Sequence, residues 1–202
     1  MALPDVADLD AGRRANLHRT LTEAVERELI GGPPFELPAH GIARPDKQIA
    51  QNWARARNER QAEFVKWGVN GDRAWRVAIG AEYVDILDML IGPLSRAGVE
   101  LSELCDQGAE AMTEFLSAIP TPYAMACLDA AAICNQGFSW EANDFHDLIL
   151  MSSASVYCDV IVGETKWVNL LHASRARPQA TVTKDLADLP ILLVEATRAE
   201  AS

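Results

Sequence analysis

Asp144, Asp147, Asp159 and Glu164 lie close together in the last third of the 202-residue chain, and their spacing is the one feature with obvious chemical use. A helix from Asp147 to about Ser155 advances roughly 12 Å, and the strand that begins at Asp159 returns roughly 13 Å over its first four steps. Asp147 and Glu164 are therefore expected at the same end of one layer, with Asp159 at the other end. Asp144 stands one helical turn before Asp147 on the same face and can join the pair. Two or three carboxylates at the end of a parallel strand form a hard, oxygen-lined site suited to Mg²⁺ or Mn²⁺. Such an ion activates water and steadies the charge that develops on a phosphodiester. The same acids also suit a structural role. Carboxylates in a helix's first turn favour its dipole, and Asn143 or Asp144 can serve as the N-cap. His146 lies beside them, where a surface role or support of a ligand is expected.

The elements that must position these acids are read from apolar spacing. Asn143 to Ser155 reads as helix, Asp159–Gly163 as strand, Glu164 to Ala173 as helix, Thr181–Thr183 as strand and Asp185 to Val194 as a closing helix. Alternation of this kind implies parallel pairing, because each helix returns the chain to the same end of the sheet. Upstream, Leu17, Leu21, Val25 and Leu29 mark a helix over Arg13 to Ile30, followed by a short strand at Phe35–Leu37. A second helix starts near Pro45, with Ile49, Trp53, Phe64 and Trp67 as its apolar stripe, and closes at Gly68–Asp72. A third spans Arg73 to Ala97, with Val77, Ala81, Val84, Leu87, Ile91 and Leu94 inward and an interruption near Gly92–Pro93. A fourth covers Ser102 to Ile119, and Pro120–Pro122 separates it from an alanine-rich helix over Tyr123 to Cys134.

Composition limits the function classes. The net charge of −11 argues against a protein that coats nucleic acid, which needs neutralising Lys and Arg. Residues 44–76 nonetheless carry eight basic and four acidic side chains. Arg55, Arg57 and Arg60 within that segment either form a solvated helix face or contact RNA phosphates. Cys105, Cys127, Cys134 and Cys158 form no CxxC pair and read as reduced, buried thiols. The five tryptophans read as core. The acidic N-terminus and the lack of a long apolar run imply a cytoplasmic protein without membrane association. Arginine and alanine usage suggests a bacterial source. No Walker loop, GxGxxG, GxSxG or HExxH occurs, so NTPase, dinucleotide, hydrolase-triad and zincin readings lack support.

The run Trp140–Asp147, followed by Ala154–Glu164, resembles the closing half of a PIN-like, metal-dependent nuclease domain. In that pattern an acidic helix start leads through small residues to a strand whose far end carries another acid. By this comparison Asp147 matches the helix acid, Glu164 matches the acid after the strand, and Asp144 is an additional ligand. Thr181 to Leu193 is similar to the family's last strand and helix, and Phe35–Leu37 stands where its second strand would be. Two departures are plain: no apolar strand ending in Asp is legible in Met1–Asp10, and Ala43 and Arg44 stand where a second acid is expected. The resemblance therefore implies an α/β fold, mostly helical with a small parallel sheet. It implies one PIN-like domain over 1–202, truncated at its N-terminus, with a helical region at 45–139. The implied function is a divergent ribonuclease using Mg²⁺ or Mn²⁺ on Asp144, Asp147 and Glu164, inactive if the first strand and its Asp are lost. The alternative is a non-catalytic remnant or helical binding module. RNA, an antitoxin-like protein or a second copy of the chain are the partners it implies.

Overall fold

The structure is a computed structural model that describes residues 47–98, 102, 108–176, 178 and 180–200, together with 12, 16, 19, 20, 22 and 23. The expected strand at Phe35–Leu37 and Cys105 lie outside the described residues, as does most of the expected helix over Arg13 to Ile30. The described chain is mostly helical with one small parallel sheet. Its order is α1 (Lys47–Lys66), α2 (Gly71–Ala97), α3 (Gly108–Ser117), α4 (Pro120–Cys134), α5 (Asp144–Tyr157), β1 (Val160–Val162), α6 (Thr165–Ala173), β2 (Thr181–Thr183), a 3₁₀ turn (Leu186–Asp188) and α7 (Leu189–Glu200). Among the described residues, no single helix is long and apolar enough to cross a membrane.

The chain divides into two compact units, Met1–Ala43 with Ile79–Tyr123, and Arg44–Ala78 with Ala124–Ser202. The first unit buries Ile79, Tyr83, Ile86, Leu90 and Leu94 of α2, together with Leu116 and Ile119. Tyr83 meets Phe115 edge to face at 6.0 Å, the arrangement that ring quadrupoles favour. The inward face of α2 differs from the expected stripe, for Val84 and Ile91 are more than half exposed. The helix also runs through Pro93 rather than ending there. At the start of α4, Pro120 occupies the first turn, where its missing N–H has no intrahelical partner to lose.

The second unit holds the sheet. β1 and β2 pair in parallel with Ile161 opposite Val182, as the helix–strand alternation requires, and α7 packs against β1. Ile161 is buried while Val160 and Val162 are half-buried. The core gathers Leu128, Ala132, Trp140, Leu148, Ile161 and Trp167. In α5, Ser152 and Ser155 are buried, and each hydroxyl donates to a carbonyl of its own helix, Leu148 O at 2.7 Å and Ser152 O at 2.8 Å. Small side chains that satisfy themselves let neighbouring elements approach closely.

Helix α1 departs from the apolar stripe expected of it. Phe64 is buried and Trp53 packs on the core as expected, but Ile49 and Trp67 are exposed at 58% and 56%, and Ala50, Ala54, Arg57 and Gln61 complete the inward face. Polar groups in such a place survive only when hydrogen-bonded, and each is. Gln61 Nε2 donates to the carbonyls of Ala132 and Ile133 at 3.0 and 3.2 Å, closing off the end of α4. Asn58 donates to Trp140 O and accepts from Trp140 N, both at 2.8 Å, which pins the segment leading into α5. Arg57 pairs with Asp129 of α4. The helix stops at Gly68, whose φ of 61° suits a residue without Cβ. Val69 N donates to Phe64 O and Gly68 N to Val65 O, and the buried pair Val69 and Phe64 seals that end. Cysteine placement is a further correction: among the described residues Cys127 is buried, whereas Cys134 and Cys158 are exposed, all as free thiols.

Candidate active site

Helix α5 begins at Asp144 and carries Asp144 and Asp147 in its first turn. Glu164 is the N-cap of α6, in extended backbone, with no side-chain cap bond. Trp167, in the first turn of α6, donates its indole N–H to Asp147 Oδ2 at 3.3 Å. One turn beyond Asp147, Met151 lies against Gly163, the residue between β1 and Glu164, so closely that a Cβ there would come within 3.2 Å of Met151 Cε. Asp147 is therefore held against the helix that Glu164 caps, just past the C-terminal end of a parallel strand. Asp159 precedes the other end of β1, where its carbonyl accepts Thr181 N at 2.8 Å.

Asp144 occupies a different environment. It is 4% exposed, its Oδ2 accepts Glu141 N at 2.7 Å, and the ammonium of Lys166 sits on the same oxygen. Lys166 also donates to Ser139 O at 3.0 Å and lies 4.6 Å from the centre of the Phe138 ring. One lysine thus joins the loop before α5, the start of α5 and the start of α6. An ammonium held on a carboxylate leaves that oxygen poorly suited to a cation. Among the described residues no group of three His, Cys, Asp or Glu side chains gathers as a metal site. Asp147 and Glu164 remain as hard oxygen donors, a set that Mg²⁺ accepts when water fills the other positions. His146 is exposed, its ring edge-on to Phe145 at 5.1 Å.

The three arginines separate in the same way. Arg55 and Arg60 are exposed, with Arg55 bonded to Asn52 Oδ1 at 2.9 Å. Arg57 turns inward, its guanidinium 5.0 Å from the ring centres of both Trp53 and Trp140 and paired with Asp129. Lys166 and Trp167 were not singled out by the sequence reading, although a signal was there. A lysine in a helix's first turn opposes the dipole, so it needs an anionic partner, and the only acids it could reach through a short return are those opening α5. A cavity of about 350 Å³ adjoins this pair, lined in part by Asn135, Phe138, Ser139, Glu141, Lys166 and Asn169.

No family model, curated protein or solved structure matches this chain, so its function is argued from its own residues.

Proposed function

We propose that this chain is a divergent PIN-like ribonuclease domain whose reactive rim is Asp147 with Glu164. The single observation that supports it is the indole–carboxylate bond that holds Asp147 at the helix Glu164 caps. A divalent ion bound there would lower the pKa of its water and offset charge on the phosphoryl oxygens. The protein's own part is positional. Trp167 holds one oxygen of Asp147 by its N–H, Lys166 fixes Asp144 and with it the first turn of α5, and Arg55 and Arg60 offer exposed charge to an RNA backbone. Asp144 is in this reading a positioning residue and not a ligand.

The buried Asp144–Lys166 pair also favours a second reading, a PIN-like scaffold that binds without cleaving. One experiment decides. Single-stranded RNA is incubated with the protein and Mg²⁺ or Mn²⁺, and the melting temperature is recorded with and without the ion. Cleavage that stops in EDTA, falls roughly 100-fold or more in Asp147→Asn and Glu164→Gln, and accompanies an ion-dependent rise in Tm supports the nuclease. Intact RNA and an ion-independent Tm reject it and leave the scaffold.

A further inference from the structure

We infer that the cavity bounded by the end of α4, the 135–141 loop and α6 is a subsite for one ribonucleotide. Its volume of about 350 Å³ falls in the range of small-molecule pockets and accommodates a base with its sugar. Its chemistry is more specific than its size. Lys166 presents an ammonium with three N–H donors, two of which are taken by Ser139 O and Asp144 Oδ2. The third meets no oxygen or nitrogen of the described residues, the Phe138 ring lying 4.6 Å from the ammonium, and the phosphate of a nucleotide supplies an anionic acceptor for it.

Glu141 lies on the same wall, exposed, with its backbone N–H given to Asp144 and its carboxylate without a bonded partner among the described residues. A lone carboxylate beside an ammonium repels a second phosphate but accepts from a vicinal diol, the ribose 2′- and 3′-hydroxyls. Asn135 and Asn169 each bring a carboxamide. The Oδ1 of Asn135 is occupied by Gly137 N at 3.2 Å, which leaves its NH₂ to donate, while Asn169 is exposed and can both donate and accept. Phe138 adds ring surface at the lining. An ammonium, a free carboxylate, two carboxamides and an aromatic edge together match phosphate, ribose and base. An amino-acid zwitterion would use the two charges but would leave the carboxamides and much of the volume unfilled.

The subsite shares Lys166 with the Asp144 contact, and Asp144 opens the helix whose first turn also carries Asp147. The subsite rests on the RNA reading of the acidic rim for its biological occupant, and the assay keeps the two apart by working in EDTA with mononucleotides. Titration of the full chain with UMP and AMP, followed by calorimetry or amide NMR shifts, is expected to saturate below about 10 mM. The same titration with the 2′-deoxy forms is expected to be weaker by roughly threefold or more, because a hydroxyl partner of Glu141 is lost. Asn169→Leu, on an exposed face of α6 where folding does not depend on it, is expected to weaken UMP or AMP binding roughly fivefold. Inorganic phosphate alone is expected to bind more weakly than either nucleotide. No saturation, equal binding of ribo and deoxy forms, an unchanged Asn169→Leu variant, or binding of glycine in place of nucleotides each overturns the subsite. Nucleotide binding in EDTA with no cleavage of RNA in Mg²⁺ would keep the subsite and remove the nuclease.

Discussion

Arg57→Met is expected to lower the unfolding free energy by about 3–5 kcal/mol, whereas Arg55→Ala and Arg60→Ala change it by less than about 0.5 kcal/mol. The contrast follows from where the three side chains end. Arg57 is 15% exposed and its partner Asp129 12% exposed, so removing the guanidinium takes the Arg57 cation away from a carboxylate that is largely out of water. It also withdraws the cation from the Trp53 and Trp140 rings, which meet edge to face and each lie 5.0 Å from it, a loss of roughly 0.5–2 kcal/mol for each contact before overlap is counted. Arg57→Lys separates the two contributions. It keeps a charge for Asp129 but has no planar group to lie against the two indoles, so an intermediate loss is expected. Urea denaturation followed by circular dichroism reads all four variants on one scale, provided the m-value stays constant. RNA binding gives the complementary result: removing Arg55 or Arg60 should reduce the salt slope of binding by about one phosphate contact each. Equal stability losses for Arg55 and Arg57 would show that the inward clamp contributes nothing.

The same three arginines show how far the sequence could be read. Helix α1 was legible as a helix, and so were its end at Gly68 and its basic character. Its inward face was legible only in part, because Trp53 and Phe64 follow an apolar step whereas Ala50, Ala54, Arg57 and Gln61, which complete that face, do not. A buried arginine or glutamine becomes readable only with its partners in view, and those partners, Asp129 and the carbonyls ending α4, lie more than sixty residues further along. Short-range periodicity carries no information about them. The segment from Asp144 to Thr183 was far more legible, since the position of each part follows from its neighbours. A helix followed by a short apolar strand and another helix admits few arrangements, and the parallel β1–β2 pair lies where that logic puts it; the Asp147–Trp167 contact was not foreseen. The distinction between Asp144 and Asp147 was out of reach for the same reason as Arg57. Both acids share one helical face, and their partners on the next helix, Lys166 for Asp144 and Trp167 for Asp147, tell them apart.

A carboxylate that an ammonium holds in the fold and one proposed to hold a ligand respond in opposite ways to removal of charge. Lys166→Met keeps the length of the side chain and deletes the ammonium, leaving Asp144 buried with Glu141 N–H as its remaining bond. The expected cost is about 3–5 kcal/mol, the range for one half of a buried ion pair. The pair itself need not stabilise the fold by that amount. The double variant Asp144→Leu with Lys166→Met should recover much of the loss, since burying two apolar groups of similar volume is often no worse than burying the pair. The cycle built from the two singles and the double then measures their coupling directly. Glu164→Gln and Asp147→Asn form the control. Glu164 is exposed and caps nothing with its side chain, and an asparagine at 147 still offers the Trp167 indole an oxygen. Both are expected to fold as well as the parent, because neither substitution removes a bond that these side chains make in the fold. If Lys166→Met were silent and Asp147→Asn strongly destabilising, the roles assigned to the two acids of α5 would have to be exchanged, and Asp144 would return as the candidate ligand.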